Sequence, residues 1–182
     1  MKLLQTLGRD DLRHTDEITD CIEIHNPQCI ATCSLDKKIV FYDVMHRDRL
    51  RIIDNYHEKG IRHLRYQNVH GPQMVSIGNE IYANVWAPES MVSDIHIGRL
   101  KGHKKAITDG QYLNRAPFFV TVDETNLISF WDIFTLVCIQ QISSQQNLQA
   151  EGIVALSNNV LWIYGKRFFQ FDTFQLDKDD DG

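Results

Sequence analysis

The sequence predicts an all-β fold made of a repeated four-stranded unit, and three observations predict it. First, one residue grammar recurs: a His, an Ile four later, a Ser or Thr in an apolar run, and an aromatic ten residues beyond that hydroxyl. It reads His14, Ile18, Thr32, Tyr42, then His57, Ile61, Ser76, Trp86, then His103, Ile107, Thr121, Trp131. Second, the histidines are 43 and 46 residues apart and the aromatics 44 and 45 apart, so the register holds along the chain. Third, the runs inside each period are short, β-rich and bounded by turn residues. A period of about 40–45 residues with four such runs is one blade of a β-propeller. At about 44 residues per blade the 182 residues supply at most about four blades, the low end of the propeller range. The expected architecture is therefore a propeller segment of about four blades, an open arc rather than a closed ring.

The elements follow in order. Residues 1–12 read as a leading strand, Leu3 to Leu7, and a loop. Blade 1 spans 13–54. Ile18 to Ile24 alternates apolar and polar residues as a half-buried strand does, and Cys29 to Ser34 is a short apolar run closed by the turn Leu35-Asp36-Lys37-Lys38. The β-rich run Ile39 to Val44 follows, and Leu50 to Ile53 forms the outer strand. Blade 2 spans 55–101, with Gly78-Asn79-Glu80 as its hairpin and Ile81 to Trp86 as its third strand. Blade 3 spans 102–146, where Phe118 to Val122 leads through Asp123-Glu124-Thr125-Asn126 into Leu127 to Trp131. Asn126 suits the left-handed turn position there. Pro72, Pro88 and Pro117 all fall in connections. Residues 147–175 read as a partial blade 4, with Gly152 to Leu156 as inner strand and a hairpin about Gly165-Lys166. It carries Gln149 at the His position and Leu161 at the hydroxyl position. Residues 176–182 form an acidic tail.

Gly102-His103 and Trp131-Asp132 in the third repeat, with Arg13-His14, Tyr56-His57, Tyr42-Asp43, Trp86-Ala87 and Phe171-Asp172 elsewhere, resemble the two namesake dipeptides of the WD-repeat β-propeller family. The stretch from Ala31 to Ile39 resembles that family's strand-turn-strand segment, and the resemblance covers roughly residues 13 to 172. It implies a buried hydrogen-bond chain in each blade. An indole N–H donates to a hydroxyl, the hydroxyl to one imidazole nitrogen, and the other imidazole nitrogen to a carboxylate. The first set is His14, Thr32, Asp36 and Tyr42. The second is His57, Ser76, Glu80 and Trp86, with one extra methylene at the acid. In the third, His103, Thr121 and Trp131 are in place, but Thr125 stands at the acid's position, so His103 uses Asp123 or Asp109 or goes without. Gly60 to Tyr66, Trp131 to Gln140 and Gly165 to Phe169 are similar to WD-repeat proteins of cilia and flagella.

Composition narrows the function classes. With 19 Lys and Arg against 24 Asp and Glu, the net charge of −5 offers no basic footprint for nucleic acid or anionic lipid. Cys21, Cys29, Cys33 and Cys138 form no C-x-x-C pair and no disulfide framework, which suits a reducing compartment. No apolar run approaches the roughly 20 residues of a membrane helix, and the opening residues do not read as a signal peptide. A cytoplasmic location is expected, with cilium or cytoskeleton as the family-based refinement. Ser, His and Asp are present, but nothing resembles a G-x-S-x-G elbow, and the best groupings belong to the structural network. His57, His63 and His70 are spaced by six and seven residues, which matches no ligand pair for a metal. No phosphate-binding glycine loop occurs. Asp177-x-Asp179-x-Asp181-Gly182 copies the start of an EF-hand loop, but its position-twelve Glu is missing and a strand-like segment precedes it. No metal, cofactor or catalytic residue is expected.

The function expected is that of a non-enzymatic scaffold that binds other proteins through propeller loops, with a structural role in a ciliary, axonemal or cytoskeletal assembly as the alternative. Candidate contact residues are Leu35, Asn79 and Glu124 in the turns, and Asp54, Tyr56, Glu58, Lys104 and Lys105 around the repeat histidines. An open arc leaves strand edges unpaired, so self-association or completion of the propeller by another chain is expected.

Overall fold

A computed structural model describes residues 14–46, 49–90, 94–114, 116–143, 149–156 and 160–172. Leu3 to Leu7 and the tail from Asp177 to Gly182 lie outside the described residues. Fifteen strands and no helix are present among those described. The first sheet contains β1 (Ile18–Ile24), β2 (Cys29–Ser34), β3 (Ile39–Asp43) and β4 (Arg49–Ile53). The second contains β5 (Ile61–Gln67), β6 (Gln73–Gly78), β7 (Tyr82–Trp86) and β8 (His96–Lys101). The third contains β9 (Ile107–Tyr112), β10 (Phe118–Asp123), β11 (Leu127–Asp132) and β12 (Cys138–Ser143). The fourth contains β13 (Gly152–Ala155), β14 (Val160–Tyr164) and β15 (Phe168–Asp172). Every sheet is an antiparallel meander with strands in chain order. Lys37, with φ of 72°, and Asn126, with φ of 64°, take left-handed positions in the turns after β2 and β10, and Asn55, Leu136 and Gln149 are also left-handed.

The ladders repeat as the sequence does. In each of the three four-stranded sheets the second strand's pairing with the first slips near the repeat's Ile, at Ile18, Ile61 and Ile107. The third strand's pairing with the fourth slips at the aromatic, at Tyr42, Trp86 and Trp131. A bulge at a fixed place in each unit adds the same local twist to each, which keeps the sheets alike.

Because side chains alternate across a strand, each sheet has two faces, and consecutive sheets bury a core between them. The trailing face of sheet 1 (Cys29, Ala31, Cys33, Ile39, Phe41) packs on the leading face of sheet 2 (Ile61, Leu64, Met74, Trp86). Val75, Ile77, Ala83, Val85 and Leu100 pack on Ile107, Phe119 and Trp131. Val120, Val122 and Ile128 pack on Ala150, Ile153, Leu161 and Ile163. Both faces of the central strands are therefore buried, which is why Met74 to Ile77 is apolar except for one serine. The inner strands β1, β5, β9 and β13 contact one another in succession. Among the described residues no strand pairs with a strand of another sheet and no sheet closes on itself; the sheets form an open arc.

Sheet 4 shifts the register read from the sequence. Phe119 pairs with Trp131 and Leu161 pairs with Phe171, so Leu161 corresponds to Phe119, and Ile163 holds the position of Thr121. Ile153, opposite Ile163, then corresponds to Leu64, opposite Ser76. The short β14–β15 hairpin removes two residues between the hydroxyl position and the aromatic, and counting back from the aromatic misses that.

Candidate functional site

The loops that precede the inner strands are tied to the sheets by buried side chains. In sheet 2, Trp86 Nε1 donates to Ser76 Oγ over 2.9 Å. Ser76 Oγ lies 2.7 Å from His57 Nε2, and His57 Nδ1 lies 2.6 Å from Glu80 Oε2. The other carboxylate oxygen accepts the amides of Glu58 and Lys59. The extra methylene of Glu80 is thus taken up by a carboxylate that reaches both the ring and the loop backbone. Space around the ring is tight, since a Cβ on Gly78 would lie 2.9 Å from the Gly60 carbonyl oxygen and 3.3 Å from His57 Nδ1.

Sheet 3 builds the chain from a different acid. Trp131 Nε1 donates to Thr121 Oγ1 over 2.8 Å, and Thr121 Oγ1 lies 2.6 Å from His103 Nε2. His103 Nδ1 lies 2.9 Å from Asp123 Oδ2. Asp123 is two residues beyond Thr121 on one strand, so both side chains project from the same face. Thr125 serves the acid instead, through its amide and hydroxyl at 2.8 and 2.6 Å. In sheet 1, His14 Nδ1 is 2.9 Å from Asp36 Oδ2 and its Nε2 is 2.9 Å from Thr32 Oγ1. The Thr32 hydroxyl also lies 3.3 Å from the Val40 carbonyl. With a single proton to place, it divides between the imidazole and that carbonyl, and Tyr42 is buried beside it on the same face.

These groups give the fold an acid-sensitive side. Burial holds the His103 imidazole below its ordinary 6.5, against the pull of Asp123. Burial pushes the Asp36, Glu80 and Asp123 carboxyls up, but their hydrogen-bond donors outweigh it, and all three sit below their ordinary values of 3.8, 4.5 and 3.8. In each case the unfolded chain takes up a proton at a higher pH than the folded one. Stability contributed by His103 is complete above about 6.5 and is lost as pH falls through its lower folded value. That of the carboxylates is lost further down, below about 4. Melting temperatures measured from about pH 7 to about pH 3 are expected to fall in that order. A flat profile would contradict the assignment of these burial and hydrogen-bond effects.

Ser76, His57 and Glu80 have the composition and distances of a hydrolytic triad, yet Ser76 is fully buried and its oxygen accepts the Trp86 indole proton. No substrate carbonyl can reach that oxygen, so these residues act as a staple. His63 lies apart in β5, 4.0 Å from Asp20, and His70 lies in the loop after β5.

Leu35, Asn79 and Glu124 occupy one structural position. Their amides donate to the carbonyls of Glu17, Gly60 and Ala106 at 3.0, 3.4 and 3.0 Å, and each acceptor immediately precedes the inner strand of its sheet. The turn residue and the histidine loop are therefore bound side by side in each of the first three sheets. Glu58, Lys104, Lys105 and Glu124 are exposed, and Leu35 and Asn79 half-buried. Asp54 pairs with Lys38 Nζ at 3.5 Å. Tyr56 packs its ring edge on Trp86 and donates its hydroxyl to Asp94. On the same face a pocket of about 290 Å³ is lined by Arg62, Asn79, Thr108, Glu124 and Glu151.

A second polar set was not singled out by the sequence. Arg65 of β5 reaches Asp20 of β1 at 3.1 Å and Asp109 of β9 at 2.6 Å, and its Nε donates to the Gly110 carbonyl. Asp20 accepts the amide of Leu64 in the next sheet, and Asp109 accepts that of Ile153, both at 3.0 Å. The recurring signal was the third residue of each inner strand, Asp20, His63 and Asp109.

No protein-family model matches this sequence, and no curated protein matches it either. Solved structures do match the shape. U3-55K superposes with a TM-score of 0.76 at 16% identity over 88% of this chain and 50% of its own. The WD40 β-propeller domain of Doa1 superposes with a TM-score of 0.67 at 16% identity, over 83% and 48%. The fold is that of a WD40 propeller. The chain spans about half the length of those two structures. The computationally designed protein Ika4 matches over 93% of this chain and 99% of its own, with a TM-score of 0.74 and 19% identity. The WD40 arc described above thus has a solved counterpart of its own extent.

Proposed function

We propose that this WD40 arc is a non-enzymatic scaffold that binds other proteins through its histidine-anchored loop face. The observation that carries the proposal is the repeated clamp: Leu35, Asn79 and Glu124 held at one position by the same backbone hydrogen bond. Exposed charges beside a buried network are presented without large loss of loop entropy on binding. The face mixes signs, with Arg62, Lys104 and Lys105 near Glu58, Glu124 and Glu151, which suits an extended protein segment that also bears both charges. A structural role in a ciliary, axonemal or cytoskeletal assembly is the alternative reading, which rests on the sequence resemblance alone, and a cytoplasmic location rests on the cysteine usage.

Affinity capture by the full chain tests it. Proteins retained by the parent are expected to be lost about tenfold or more, roughly 1.4 kcal/mol, on Glu124→Lys with Lys104→Glu, and kept on Val137→Ser, an exposed site beyond the far end of β11. Equal retention by both variants would remove the loop face as the binding surface.

A further inference from the structure

The pocket of about 290 Å³ on the loop face is built by three blades at once. Sheet 2 supplies Arg62 and Asn79, sheet 3 supplies Thr108 and Glu124, and the segment leading into β13 supplies Glu151. The main chain fixes these walls from behind. The amides of Asn79 and Glu124 donate to the carbonyls of Gly60 and Ala106, and the Glu151 amide donates to the Tyr164 carbonyl over 2.8 Å. The Ala150 amide donates to Asn126 Oδ1 over 3.0 Å. The charged side chains are left free. Among the described residues Arg62, Glu124 and Glu151 form no ion pair, although all three line one cavity. The opposite holds three residues along β5, where Arg65 takes both Asp20 and Asp109. Arg62 follows the repeat's Ile, a position held by Thr19 in β1 and Thr108 in β9. The Thr19 hydroxyl is engaged by the Ile61 carbonyl at 2.7 Å, whereas Arg62 lines the pocket with a cationic side chain.

We propose that this pocket receives an arginine side chain of the bound protein, and that an acidic residue next to that arginine meets Arg62. This rests on the loop-face function proposed above and specifies what the partner inserts there. Two carboxylates and one guanidinium leave the lining one negative charge in excess, so a cation is the favoured guest. A guanidinium carries five N–H donors in a planar fork and can bond Glu124 and Glu151 together. A lysine ammonium is a compact, strongly hydrated point charge and fits two separate carboxylates less well. The volume lies just below the range of about 300–1,000 Å³ for small-ligand sites, room for one side chain and too little for a strand or helix. Arg62 then sets a condition on the neighbouring residue, since it repels a second base and attracts an acid. The Asn79 amide and Thr108 hydroxyl, whose side chains form no hydrogen bond among the described residues, offer donors and acceptors to the segment's main chain.

A glycine-rich peptide with blocked ends, carrying one arginine followed by one aspartate, tests it when titrated into the isotope-labelled full chain. NMR shifts of the Thr108, Glu124 and Glu151 amides are expected to move together and to saturate. Glutamine in place of the peptide's arginine is expected to weaken binding by about tenfold or more, and Glu151→Gln to weaken binding of the original peptide likewise. Arg62→Glu is expected to reverse the neighbour preference, binding an arginine–lysine peptide more tightly than the arginine–aspartate one. A misfolded chain would not produce that reversal. No saturable shift, equal binding of the glutamine peptide, full binding by Glu151→Gln or an unchanged preference in Arg62→Glu would each overturn the arginine pocket. The loop-face function is decided separately, by the loss of captured proteins on Glu124→Lys with Lys104→Glu. It stands if capture depends on that pair while the peptide fails to bind.

Discussion

Trp86→Ala is expected to lower unfolding stability by about 3–5 kcal/mol, the range for removing a fully buried large aromatic. Trp86 is completely buried. Its ring fills the core between sheets 1 and 2, beside Met74, Cys29 and Phe41, and its indole proton occupies the Ser76 hydroxyl. Truncation leaves a cavity and releases the head of the hydrogen-bond chain that runs to His57 and Glu80. Ser76→Ala removes only the shared hydroxyl and leaves the indole and imidazole unpaired, an expected loss of about 1–3 kcal/mol. Thr32→Ala should lose less, because that hydroxyl is divided between His14 and the Val40 carbonyl. Urea unfolding of the three variants checks the order. If Trp86→Ala melted as the parent does, the core between the first two sheets would not be built as described.

Asp109→Ala is expected to destabilise by about 2–4 kcal/mol, somewhat less than the 3–5 found when one partner of a fully buried ion pair is removed. Asp109 is buried, and it joins three sheets through Arg65 of β5 and the Ile153 amide of β13. Without it Arg65 keeps Asp20, and its partial exposure lets water share the charge, which places the loss below the upper figure. Asp109→Asn keeps an acceptor for the amide and should lose less. Hydrogen exchange adds a local readout, since the Ile153 amide should lose protection first in Asp109→Ala. Unchanged protection there would show that the fourth sheet is not held at this point.

The strands and the repeat register were legible because both depend on neighbours close in sequence. Alternation along Ile18 to Ile24, the turn residues Asp36 to Lys38 and Asn126, and the ten-residue step from hydroxyl to aromatic all lie within one hairpin. The hydroxyl and the aromatic come together because Ser76 and Trp86, or Thr121 and Trp131, sit on adjacent strands of a meander whose loop is short. The fourth sheet misled where its hairpin was shorter, since the step from Ile163 to Phe171 no longer matches the others.

The sequence by itself determined an all-β repeat, the residues that could form each blade's polar chain, and the limit of about four blades, because period and turn chemistry are local properties. Only the tertiary structure decided that His103 takes Asp123 while Asp109 serves the neighbouring sheets. Asp109 meets Arg65 and Ile153 across 44 residues in each direction, a distance at which the angle between sheets rather than the strand's own period selects the partner. The same holds for Ile18, which occupies the repeat position of Ile61 and Ile107 yet is 53% exposed where they are 0% and 1%, because burial is set by what packs against a strand and not by the strand's own period.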